Sequence, residues 1–230
     1  MSEPRRIQAV TFDVGGTLIE PWPSVGQVYA DVARSHGVKT ISADELNVRF
    51  KTIWRASHGF DYTRAGWEEL VNQTFRGLLP DCERVGFFPE LYERFAEAAA
   101  WRVFEDVLPT LDALAPLGIR LGVISNWDER LRPLLRKLGL QDRFESLIVS
   151  CEAGYPKPAS LIFARAAAAF ELPATAILHV GDSFEMDVEG ARSAGFRALH
   201  LRRDRAETGV DEMRSLAELP AWITNRISPL

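Results

Sequence analysis

The apolar positions of the chain change their period twice. Ile7 to Phe12 (IQAVTF) is a short run rich in β-branched residues that stops at Asp13-Val14-Gly15-Gly16-Thr17, which predicts a buried strand closed by a tight turn. From about Pro21 to Ala100 the period becomes 3.6, and the pattern predicts helices only. Val25, Val28, Tyr29 and Val32 share one face ahead of His36-Gly37, a terminal cation followed by a C′ glycine. Ser42-Ala43-Asp44-Glu45 is a capping-box sequence that precedes Leu46, Phe50, Ile53 and Trp54. Trp67, Leu70, Val71, Phe75 and Leu78 predict a third helix, and Pro89, Leu91, Tyr92 and Phe95 a fourth. From Val107 onward, amphipathic stretches near Leu111, Leu131, Phe163 and Val188 alternate with short apolar runs. Those runs are Ile119 to Ser125, Leu147 to Ser150, Ile177 to Val180 and Ala198 to Leu201. Such alternation predicts an α/β fold, a parallel sheet with helices on both faces, which the first strand should join. The expected division is a core of residues 1–20 and 101–230 with a helical insert at 21–100.

Composition narrows the setting. The chain has 230 residues, 47% of them apolar, and 27 Lys+Arg against 32 Asp+Glu give a net charge of −5. With no extended basic block, neither nucleic acid nor an anionic membrane is an expected partner. No run approaches the roughly 18 apolar residues of a spanning helix. The two cysteines, Cys82 and Cys151, form neither a C-x-x-C nor a metal cluster, so a reducing, cytoplasmic setting is expected.

In open parallel sheets, ligands bind beyond the carboxyl ends of the strands, so the residues that follow each strand matter most. Here they are Asp13, then Ser125-Asn126, then Lys157 between two prolines, then Gly181-Asp182-Ser183-Phe184-Glu185-Met186-Asp187. Singly, each reads as a turn, cap or solvated charge. In this order, each beyond a strand, they predict one pocket. Asp13, Asp182 and Asp187 would set three acids against Lys157, and such crowding raises carboxylate pKa values and blunts a nucleophile. A divalent cation removes the conflict, and an oxygen-only donor set suits Mg2+.

These residues resemble the four motifs of the haloacid dehalogenase-like hydrolase superfamily. Asp13-Val14-Gly15-Gly16-Thr17-Leu18 is similar to its D-x-D-G-T-L, Gly122 to Asn126 to its apolar strand ending in Ser or Thr, Lys157-Pro158 to its third motif, and Gly181 to Asp187 to its G-D-x-x-x-x-D. The glycine-substituted first motif resembles, more narrowly, the haloacid dehalogenase-like hydrolase domain-containing proteins. The resemblance implies a Rossmann-like core with a helical cap, and a Mg2+-dependent phosphatase of a small phosphorylated molecule. In that reading Asp13 is the nucleophile, and Ser125, Asn126 and Lys157 hold the substrate's phosphoryl group. Asp13, Asp182, Asp187 and the backbone carbonyl of Gly15 hold the metal, and Thr17 supports the loop. The family's second motif-one carboxylate, its acid and base, falls on Gly15. General acid catalysis is worth about 10² to 10⁴ in rate, so alkyl phosphates should turn over slowly and activated phosphates less so. The same gap opens two other readings, a metal-independent dehalogenase of 2-halo acids and a weakly active metal-binding protein. Asp128 is expected to cap a helix, and Phe60, Tyr62 and Trp67, beside His58, to pack in the insert or face substrate.

Overall fold

The computed structural model describes residues 6–38, 40–57, 59–79, 86–205 and 209–227. His58 and Cys82 lie outside the described residues. A six-stranded sheet has the order β5-β4-β1-β6-β7-β8. These strands are β1 (Ala9–Phe12), β4 (Arg120–Ser125), β5 (Ser146–Val149), β6 (Ile177–Gly181), β7 (Arg197–Leu201) and β8 (Glu212–Met213), and each neighbouring pair is parallel. Every residue of β1 and β6 is buried, as expected for strands covered on both faces. The two short strands β2 (Ile19–Pro21) and β3 (Trp101–Val103), which hydrophobic period does not reveal, pair where the chain enters and leaves the helical segment. At three residues each, they are too short to show an alternation.

The chain divides into two compact units, one of residues 1–19, 103–129 and 139–230 and the other of 20–102 and 130–138. In the first, Phe163, Phe170, Ile162 and Ala166 of the helix Ser160–Phe170 pack with Ala9, Ile124 and Ile177 of the sheet. The chain passes from β1 to β4 and outward to β5, then crosses back to β6 on the other side of β1. That reversal places the binding crevice of this fold class at the carboxyl end of β1.

The second unit contains the helices Val25–Ser35, Ala43–Ala56, Arg64–Phe75 and Phe87–Arg94. Ser24, Ser42 and Thr63 cap the first three through their side-chain oxygens, and His36 with Gly37 at φ 88° ends the first. Tyr29, Leu46, Val71, Phe75, Phe87 and Leu91 form its core. Phe60, Tyr62 and Trp67 pack on one another and on Trp54, with Trp67 stacked on Trp54 at 5.6 Å. The helix Leu131–Lys137 clusters with this unit although it follows β4 in sequence. Its N-cap is Arg130, so Asp128, buried two residues earlier, is not the cap that local sequence predicts. No described helix is long and apolar enough to cross a membrane.

Candidate active site

Asp13 directly follows β1, whose central place between β4 and β6 determines what surrounds that residue. The Asp13 N–H donates to the Val180 carbonyl at 3.0 Å, which prolongs the β1–β6 ladder by one residue and holds the carboxylate at the sheet edge. Its Oδ1 accepts from Ser125 Oγ at 3.1 Å and from Lys157 Nζ at 2.6 Å. Lys157 is buried and donates again, at 2.5 Å, to Asp187 Oδ1. Its backbone N–H donates to Asn126 Oδ1 at 2.6 Å, while Asn126 Nδ2 donates to the Lys157 carbonyl at 3.0 Å. Both polar ends of Asn126 are thus engaged in bracing the segment that carries Lys157.

Asp187 sits in the π-helical turn Phe184–Glu189, capped by Ser183, whose Oγ accepts from the Met186 N–H at 3.3 Å. A Cβ on Gly181 would stand 2.2 Å from Asp187 Cγ, so only glycine lets the turn fold back on β6. The Asp187 Oδ2 accepts from the Ser183 N–H at 2.9 Å, and its Oδ1 also bonds His179 Nε2 at 3.1 Å. Burial lowers the His179 pKa, which keeps the ring neutral. With a carboxylate at Nε2, the proton resides there, and Nδ1 accepts from Thr11 Oγ, 2.9 Å away across the strand pair.

Carboxylate oxygens of Asp13, Asp182 and Asp187 all lie within 4.8 Å of one another. Burial raises the Asp13 carboxyl above the ordinary carboxylate value; Lys157 opposes the rise and Asp187 adds to it. For Asp187 burial also acts upward, but Lys157 and His179 outweigh it and hold the group well below the ordinary value. The two acids in turn raise Lys157 above the ordinary lysine value despite its burial. Asp182 is exposed as a residue, yet its carboxyl lies close among protein atoms; that burial and the charges of Asp13 and Asp187 push it up to about 7. Its carbonyl accepts from His200 Nε2 at 3.0 Å, and Thr17 Oγ makes a long 3.5 Å contact to its Oδ1.

All the strand-end residues singled out in the sequence therefore meet, and four further residues join them. His179 and His200 interrupt the apolar runs ILHV and ALHL, and a polar group inside a buried strand must find a partner, so that signal was available. Thr11 carries the same signal more weakly. Trp127, whose ring approaches Gly15, carries none.

A doubly wound α/β domain with an acid at its switch point, and a serine, a lysine and two more acids from the adjoining segments, defines the class. The chain belongs to the haloacid dehalogenase-like hydrolase family, whose model matches residues 7–195. It is 33% identical over 210 residues to haloacid dehalogenase-like hydrolase domain-containing protein 3 of Homo sapiens, covering 86% of this chain and 83% of that protein. It is 30% identical over 202 residues to phosphoglycolate phosphatase of Nitrosospira multiformis, covering 85% and 83%. Among solved structures, a HAD phosphatase from Thermococcus onnurineus is similar with a TM-score of 0.69 at 28% identity, covering 94% of this chain and 98% of that one. A 2-haloacid dehalogenase from Pseudomonas syringae shares the fold with a TM-score of 0.65 at 24% identity, covering 96% and 100%.

Proposed function

We propose that this chain is a Mg2+-dependent phosphatase of a small phosphorylated molecule, acting through an aspartyl-phosphate on Asp13. The observation that carries the reading is the acid cluster itself, three carboxylates with oxygens within 4.8 Å and one buried lysine among them. A phosphoryl group adds negative charge to three acids that face one lysine, so the crevice needs a cation beyond Lys157 to accept one. The donor set consists of oxygens alone, which fits Mg2+. Asp13, Asp182 and the Gly15 carbonyl would hold the ion. Asp187, with both oxygens accepting protein donors, contributes charge from behind them and anchors Lys157. Bound there, the ion supplies neutralisation of the phosphoryl oxygens.

Asp13 attacks phosphorus, the bond from phosphorus to the leaving oxygen breaks, and that oxygen departs with the electron pair. Ser125 and Lys157, which both point a donor at Asp13 Oδ1, stabilise the charge spread over the transferring oxygens. Asn126 keeps the lysine segment in register. Water then attacks phosphorus, and Asp13 leaves as the carboxylate. The relatives named as phosphatases support this reading; the glycine at position 15 keeps dehalogenation of 2-halo acids as the second.

The deciding assay offers acetyl phosphate, p-nitrophenyl phosphate, sugar phosphates and 2-chloropropionate, each with Mg2+ and with EDTA. Phosphate release that needs Mg2+ and disappears in Asp13→Asn is the expected result. Halide release indifferent to EDTA would replace the phosphatase reading with the dehalogenase one, and no turnover of any substrate would leave a binding protein.

A further inference from the structure

Two adjacent glycines follow Asp13 and are glycine for different reasons. Gly16 has φ 80°, and a Cβ there would stand 2.5 Å from Asp182 Oδ2, so backbone and space both require it. Gly15 is not among the residues of positive φ, so its backbone admits a side chain. Space is what limits it: a Cβ on Gly15 would stand 3.3 Å from Cζ3 of Trp127, tighter than ordinary van der Waals contact. The backbone that carries the indole is held on both sides. Trp127 N–H donates to Ser150 Oγ at 3.0 Å, and its carbonyl accepts from Ser150 Oγ at 3.1 Å and from the Cys151 N–H at 3.3 Å. Ser150 is itself buried. An aromatic ring thus borders the spot from which a side chain at position 15 would project.

We propose that Trp127 is a specificity-determining residue by what it denies position 15: it crowds the place of a second acid, and with glycine kept there turnover is confined to phosphoryl donors whose leaving group departs unprotonated, acyl and aryl phosphates. This inference rests on the phosphatase reading. An acyl phosphate needs no acid: Asp13 forms the new bond to phosphorus, the old P–O bond breaks, and the carboxylate leaves with the electron pair. Hydrolysis of the aspartyl-phosphate then returns Asp13 as a carboxylate, and the proton shed by the attacking water goes to phosphate or solvent. An alkyl phosphate would have to expel an alkoxide beside an apolar ring, without the roughly 10² to 10⁴ that a general acid supplies.

The test is a cycle of Gly15→Asp, Trp127→Ala and the double variant, read as the ratio of kcat/KM on glycerol phosphate to that on acetyl phosphate. Expected is little change for Gly15→Asp alone and a rise of about 10-fold or more for the double variant, in which the new carboxyl has room. A parallel cycle with Gly15→Ala, which adds only the Cβ, reads the space without catalysis: Gly15→Ala lowers Tm, and the loss vanishes once Trp127 is alanine. The proposal is overturned if Gly15→Asp alone gains as much as the double, if the double gains nothing, or if Gly15→Ala leaves Tm unchanged. Absence of Asp13-dependent phosphate release in the wild-type protein would instead remove the phosphatase reading, and this inference with it.

Discussion

Lys157 is bonded to two carboxylates at once, so its removal strands both. Asp13 and Asp187 are buried, and burial keeps His179, which also bonds Asp187, from taking up the positive charge. Breaking a buried ion pair from one side costs about 3–5 kcal/mol, because the remaining charge has lost its partner. Lys157→Met is therefore expected to lower the unfolding free energy by an amount in that range, read as a lower urea midpoint at unchanged m-value, besides abolishing phosphate release. Equilibrium unfolding of both proteins checks this, and a loss under about 1 kcal/mol would mean that the acids take up protons or solvent more easily than the geometry implies. His179 works on a smaller scale. It fills a hydrogen-bonding gap between Thr11 and Asp187 in a fully buried strand, and its job is to keep the Asp187 carboxylate facing the lysine.

At the scale of elements, two contacts keep the site's frame in place. In β4, Gly122 faces Phe170 at the end of the helix Ser160–Phe170, and a Cβ there would stand 2.7 Å from the ring and 3.1 Å from the Ser146 carbonyl of β5. Neither neighbour can yield cheaply, since one is core and the other is a sheet backbone. Gly122→Ala is expected to cost about 1–3 kcal/mol as an overpacked core, measured by chemical denaturation. The second contact is a polar knot below the motif-one loop. Asp106 accepts from Arg203 Nη1 at 2.8 Å, from Ser215 Oγ at 2.7 Å and from the Leu216 N–H at 2.8 Å, and Arg203 Nη2 donates to the Thr17 carbonyl at 2.9 Å. Burial pushes the Asp106 carboxyl up, but the bonds from Arg203, Ser215 and Leu216 outweigh it, and the pKa falls below the ordinary value. A depressed carboxylate contributes stability in full above its unfolded pKa of about 3.9 and loses it as pH falls through the lower folded value. Asp106→Asn should destabilise the protein by about 1–3 kcal/mol at neutral pH. It should also flatten the acid limb of the stability profile below about pH 4. An acid limb identical in the two proteins would show that other carboxylates account for it.

At the scale of the whole molecule, the proposed metal site would couple ion binding to folding. Asp13 and Asp182 come together only in the folded chain, so an ion held by them would stabilise that state by RT ln(1 + [L]/Kd), about 2.7 kcal/mol at a hundredfold excess over Kd. Mg2+ is expected to raise Tm in proportion to the logarithm of its concentration, and Asp182→Asn to abolish the rise. Equal shifts in both proteins would place the ion elsewhere. Asp13 follows β1 and Asp182 follows β6, so such a shift would also report that these strands have paired.

Much of this was legible in the residues themselves. Strand ends are punctuated by type, and an aspartate, a serine, a lysine and a G-D-x-x-x-x-D segment announce themselves wherever the fold later puts them. The alternation of helical and extended periods likewise determined a parallel sheet with a helical insert, because side-chain spacing is a local property of the backbone. What depended on the tertiary structure was how those groups share their bonds. Lys157 bridges Asp13 and Asp187, Asn126 braces the lysine, and Trp127 stands against Gly15; these are relations between residues distant in sequence, and no local pattern encodes a distance. The vacancy at position 15 was visible as a missing letter, but only packing shows that the ring of Trp127 borders it.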